Sequence, residues 1–398
     1  MRFSLKQESM KIIRLTLACA SLLLLCSCAT TPETFPIIPA SELPADVTMN
    51  KDAGRGNVLF VTLRLESGEE LPFIVDTGAA RTHFDKSLEP KLGKRLGHIT
   101  TKTFLGEQEA GIYAAPKLYL GSTPLMTGSH ISTIDLRQLS SILGRPIMGI
   151  LGMAHLRHYC IQLDFEAGKM RFLDPNDVNA AELGKAFPLA FSSEGQSERE
   201  LIRPFIHHSS LIEGKGADLL IDTGFNIDGG MKPGLFRREV WKQKGDLTAG
   251  RTAQFRECVW DGETYTNLTI RTWPGSSLIG LRFLARHLVT FNFPKRTMYL
   301  KQTSIGPLVD EDMEAAMKFL NDLKEKGRRP GWTKNDEGEI RPFPEACSNS
   351  LTFNARKNGD SSIYHYTVAR ASKDGPWKLQ RAWQTDTNEH LVKEYPVP

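Results

Sequence analysis

The sequence predicts a mainly β protein built from two homologous halves in one chain, followed by a small α+β domain. Three observations predict it. The triplet Asp-Thr-Gly stands at 76–78 and again at 222–224, each time after an apolar run, Phe73-Ile74-Val75 and Leu219-Leu220-Ile221. The segments 149–173 and 277–301 align without gaps, pairing Gly152 with Gly280, Leu156 with Leu284, Asp164 with Asn292, Phe165 with Phe293 and Met170 with Met298. From residue 308 onward a helical pattern gives way to strand-like alternation.

The elements follow in chain order. Residues 1–27 read as a targeting segment: Lys11 and Arg14 precede an apolar stretch too short for a comfortable membrane span. It ends in Leu25-Cys26-Ser27-Cys28, which resembles a bacterial lipobox. That resemblance implies cleavage before Cys28, lipidation of its thiol and a membrane anchor on an exported, envelope-facing protein. With Ala29 rather than Asp next, sorting would favour the outer membrane of a two-membrane cell. An ordinary signal peptide or a short uncleaved anchor is the alternative. Residues 28–55, rich in Pro, Thr, Ser and Ala at first, read as a tether.

The first half spans 56–175. "NVLFVTLRLESGEELPFIVDTG" reads as strand, turn and strand leading into Asp76. The second half spans 186–303, and "RPFIHHSSLIEGKGADLLIDTG" repeats the plan into Asp222. Residues 174–185 join the halves. Asp76 to Gly152 is 76 residues and Asp222 to Gly280 is 58, so the first half carries 18 more. "DLRQLSSILG" (135–144) is the candidate for an added helix there. In 308–398, apolar residues at 309, 313, 316, 317, 320 and 323 predict a helix. Four strands follow, each with one buried face, and nothing in this part looks catalytic.

Composition excludes several function classes. The chain has 398 residues, 40% apolar and 24% charged, and a formal charge of +4. Arg2, Lys6, Lys11 and Arg14 against Glu8 account for three of those charges, leaving +1, which asks for no nucleic acid. Beyond Cys28 only Cys160, Cys258 and Cys347 remain: one bridge or buried thiols, not a disulfide framework. His155 with His158 and His207 with His208 do not read as zinc spacings, and no metal or cofactor is expected.

Chance would place Asp-Thr-Gly in such a chain about 0.1 times. Taken singly, the triplet is a turn ending a strand. Taken as a pair, it has a chemical sense. A strand end sets each Asp on the floor of a cleft, the Thr hydroxyl bonds backbone across a two-fold, and Gly permits the tight turn. Two carboxylates brought together cannot both ionise easily, so they share a proton.

These residues resemble the retropepsin-like aspartic proteases, in a bacterial single-chain form with two pepsin-type β-barrel lobes, over 56–303. The resemblance implies that Asp76 and Asp222 are the catalytic pair, Thr77 and Thr223 the interlocking hydroxyls, and Gly78 and Gly224 the turn residues. It also places Ile150-Leu151-Gly152 and Leu278-Ile279-Gly280 behind the loops in ψ-shaped segments. The implied activity is hydrolysis of a peptide or protein substrate by activated water, without metal or cofactor. With both halves in one chain, a monomer suffices. Phe225 departs from the pattern, since a small residue usually follows the Gly. It motivates an alternative, a cleft that binds peptides without cutting them. The expected flap hairpins are 104–121 and 255–270, with Tyr113 and Trp260 as their aromatics.

Overall fold

Alternating apolar side chains in the first half become a hairpin with both faces covered. Strands Phe60–Leu65 and Glu70–Val75 pair antiparallel, with Phe60 opposite Ile74 and Leu63 opposite Leu71. Phe73 and Val75 enter the main core, while Ile74 between them joins a second cluster with Phe60 and Ile150. Burial on both faces is why an unbroken apolar run precedes Asp76. Strand Gly149–Leu151 then lies parallel to Glu70–Val75 and antiparallel to His83–Asp85. The second half repeats this. Leu278–Gly280 runs parallel to Ala217–Asp222 and antiparallel to Gly229–Met231.

Our computed structural model describes residues 35–103, 106–143, 145–193, 202–209, 217–243, 246–248, 252–342, 350–372, 374–386 and 390–397. The targeting segment, Cys28, Cys347 and the turn expected near 213–216 lie outside them. Pro36–Pro398 forms one unit, and the description below concerns it.

The first half builds a nine-stranded sheet and the second an eight-stranded one; in both the pairing runs from edge to edge, so no barrel closure is needed. A six-stranded sheet takes strands from both halves. At its centre Cys160–Asp164 pairs antiparallel with His287–Asn292, the strands that the gapless alignment equates. The insertion holds a helix, Arg137–Ile142, as its sequence suggests. A helix at Pro233–Gln243 was not expected.

The last part is a helix on an antiparallel sheet. Asp310 caps Glu311–Glu325 by accepting from the Asp312 amide at 2.7 Å. Met313, Ala316 and Leu320 pack on Phe353, Tyr366 and Val368 of the five-stranded sheet. Cys160 and Cys258 are buried free thiols, and burial pushes both up to about 12.

Candidate active site

The two strands ending in Asp deliver their loops to one place. The Asp76 amide donates to Leu151 O at 3.0 Å, which fixes the strand end against the ψ-shaped segment. Thr77 Oγ1 donates to Ile221 O at 2.6 Å and accepts from the Thr223 amide at 3.1 Å. Thr223 Oγ1 donates to Val75 O at 2.8 Å and accepts from the Thr77 amide at 3.0 Å. Both threonines are buried, so each hydroxyl satisfies backbone groups that water does not reach. Serving as donor and acceptor at once needs a hydroxyl; valine of the same shape at either position would lose both of its bonds.

Glycine is required beside each Asp. A Cβ on Gly78 would lie 2.4 Å from Asp222 Cγ, and one on Gly224 would lie 2.4 Å from Asp76 Cγ. Each carboxyl group therefore rests against the other half's turn, close enough for the two to act on each other's protonation. The ψ-segments close the back with the same symmetry. A Cβ on Gly152 would stand 2.0 Å from Arg81 O, and one on Gly280 2.0 Å from Ile227 O. The Met153 amide donates to Ala79 O at 2.8 Å and the Leu281 amide to Phe225 O at 2.7 Å. All eight dyad, threonine and glycine positions singled out in the sequence thus meet in one constellation.

The pair is not electrostatically equal. Asp76 Oδ1 accepts from the Gly78 amide at 2.8 Å and the Ala79 amide at 3.0 Å. Asp222 Oδ1 accepts from the Gly224 amide at 3.0 Å, while the Phe225 amide donates to the Asp222 carbonyl instead. Loss of water raises both carboxyls above the ordinary carboxylate range. For Asp76 the two amides and the neighbouring Asp222 carboxyl pull back down. For Asp222 the charge and closeness of Asp76 push further up, well above the usual value. Arg203 lowers both through its charge. The stable arrangement therefore puts the charge on Asp76 and the proton on Asp222. Asp76 and Asp222 are each partly exposed as residues, while their carboxyls are largely shielded from water.

Phe225 does not stand between the carboxyls. Its ring meets Trp273 edge-on, with centroids 5.3 Å apart, beside Phe205, Leu220 and Leu278. The expected flap aromatics are core residues. Tyr113 is buried in the main core, and Trp260 stacks on Phe187 at 5.0 Å and meets Phe283 edge-on at 5.4 Å. The first hairpin also starts earlier than 104–121: Gly97–Thr103 pairs with Gly106–Ala114, and Leu118–Leu120 leaves it to pair with Phe60–Leu65. The second, Thr252–Trp260 with Glu263–Thr272, matches the expected 255–270.

One part of the support was missed in the sequence. Asp228 and Thr82 each stand six residues past their Asp. In the first half Thr82 Oγ1 accepts from the Gly152 amide at 3.0 Å and bonds His155 Nδ1 at 2.8 Å. In the second half this neutral link is an ion pair. Asp228 Oδ1 meets Arg286 Nη2 at 2.8 Å with neither side chain exposed, and Oδ2 accepts from the Thr269 amide at 2.7 Å. Asp228 O accepts from the Gly280 amide at 3.0 Å. The position of Arg286, six residues past Gly280, was the available signal.

No family model and no curated protein matches the chain. Among solved structures it is similar to the crystal structure of basic 7S globulin from soybean, with TM-score 0.45 and 11% identity, covering 66% of this chain and 95% of that one. It is also similar to the crystal structure of edgp, with TM-score 0.45 and 12% identity, covering 67% of this chain and 96% of that one.

Proposed function

We propose that the protein is an aspartic-type peptidase with Asp76 and Asp222 as its dyad. The observation that carries the reading is the crossed packing of the two carboxyls, each against the other half's glycine turn, with unequal amide donors. Asp76, the charged member, takes a proton from water whose oxygen attacks a peptide carbonyl carbon. Asp222 gives its proton to the carbonyl oxygen, so the tetrahedral intermediate forms without a free oxyanion. Collapse returns one hydroxyl proton to Asp222, and the proton held by Asp76 goes to the leaving nitrogen. The dyad ends as it began.

The test is cleavage of a peptide library by Asp76→Asn and Asp222→Asn. Each should lose at least about 100-fold in turnover while keeping the far-ultraviolet spectrum. Undiminished turnover in either variant ends the proposal. The alternative, a cleft that binds peptides without cutting them, was motivated by Phe225. With that ring on Trp273, it loses its motive. The proposal keeps a monomer as the working unit, a peptide or protein as substrate, and export with lipid attachment at Cys28. The anchor rests on the sequence alone, and the mass of the mature N-terminal peptide checks it.

A further inference from the structure

Helix Pro233–Gln243 packs on strand Glu263–Thr272 and divides its residues sharply. Phe236 and Glu239 face inward and are 2% and 0% exposed. Gly234, Arg237, Arg238 and Trp241, at helical spacing along one stripe, face outward, as do Lys232 and Lys242. Trp241 is 83% exposed, whereas the next large apolar side chain among the described residues, Leu391, is 59% exposed. The one acid of the segment, Glu239, is turned inward and accepts from Arg238 Nε at 2.9 Å. The outward face thus carries cations and one indole, with no carboxylate.

We infer that this face seats on an anionic phospholipid surface and orients the body of the protein against its membrane. An indole ringed by Lys and Arg suits the lipid headgroup region. There the ring takes up the boundary between apolar chains and water, and the cations meet phosphate. A protein partner is a poorer fit, because protein interfaces gather several apolar side chains and exclude Lys. The inference is independent of the dyad chemistry. A lipid at Cys28 would hold the chain to the membrane without fixing which side faces it. This helix supplies the orientation.

The test uses the full chain on vesicles of phosphatidylglycerol mixed with brominated phosphatidylcholine. Bromine quenches tryptophan at shallow depth, and the difference between wild type and Trp241→Phe isolates one of the six tryptophans. An N-terminal attachment would not by itself bring this ring into the headgroups. The expected result is a quenched component that Trp241→Phe removes. It should weaken several-fold in Arg237→Glu/Lys242→Glu, in high salt and on vesicles without phosphatidylglycerol. Equal quenching in wild type and Trp241→Phe overturns the inference. So does concentration-dependent self-association without lipid that Trp241→Phe abolishes, which would make the face a contact between copies. Unchanged thermal unfolding of both variants shows that the fold is retained.

Discussion

The buried pair Asp228–Arg286 allows the structural account of the second ψ-segment to be tested quantitatively. Arg286→Met removes a cation with no exposed surface and leaves Asp228 with the Thr269 amide and Arg282 Nη1 at 3.7 Å. It also strips a donor from Thr266 O at 2.7 Å and from Ile305 O at 3.0 Å. Breaking a buried pair from one side costs about 3–5 kcal/mol, because the remaining carboxylate has lost water and its close partner and keeps Arg282 at the longer distance. At about 1–2 °C per kcal/mol for a body of this size, the midpoint should fall by about 3–10 °C. Urea unfolding and calorimetry measure it. The double variant Asp228→Leu/Arg286→Met leaves no carboxylate buried at this place, with Arg282 then held by Thr269 Oγ1, and should recover part of the loss. Thr82→Val, at the equivalent place in the first half, breaks only neutral bonds and should cost about 1–3 kcal/mol. A loss under about 1 kcal/mol for Arg286→Met, or a double variant no better than the single, would refute this reasoning.

Gly78→Ala puts a methyl group 2.4 Å from Asp222 Cγ. It should destabilise by about 1–3 kcal/mol and abolish cleavage, both read on one purified variant. Because the native state holds the Asp222 proton more tightly than an unfolded chain with the ordinary value of 3.8, the dyad's contribution to stability falls as pH rises above that value. Asp222→Asn should therefore be more stable than wild type near neutrality, with the difference shrinking toward pH 4. The buried histidines act in the opposite direction. Burial lowers His155 to about 3 and His83, His158 and His287 to about 4, from 6.5. Their contribution is complete above 6.5 and is lost as pH falls toward 4. Peptide cleavage should accordingly have its optimum above about 4, and a midpoint that rises steadily with acidification would contradict this. Cys160 and Cys258 should resist iodoacetamide in the native protein and react on unfolding, since burial holds both thiols protonated.

What could be read in advance is local or duplicated. The paired triplets, the two glycines behind them and the helix at 311–325 each leave a pattern within a few residues. Features set by distant partners were not legible. The direction of the Phe225 ring depends on Trp273, 48 residues on. Arg286 becomes a charge partner only because the fold brings it to Asp228, 58 residues away. The first hairpin was misplaced for a different reason. Its strands, "GHITTKT" and "GEQEAGIYA", are polar or irregular, so alternation gives no register. Tyr113 and Trp260 sit near hairpin ends in the sequence, yet core packing claims both rings. Helix Pro233–Gln243 spans three turns and exposes its tryptophan, so its apolar stripe is thin.

The crossed threonines also bear on when the protein becomes active. Each hydroxyl completes a strand end lying some 146 residues away along the chain. Neither loop finishes itself. A polypeptide delivered from its N-terminus presents Asp76 long before Asp222 exists beside it. The central strands Cys160–Asp164 and His287–Asn292 pair only after the last of the second half has arrived. On the proposed chemistry, a half-made or partly unfolded molecule is inert by topology. Latency during synthesis is then a property of the chain order itself, and on that chemistry the first hydrolytic event marks the moment the fold is whole.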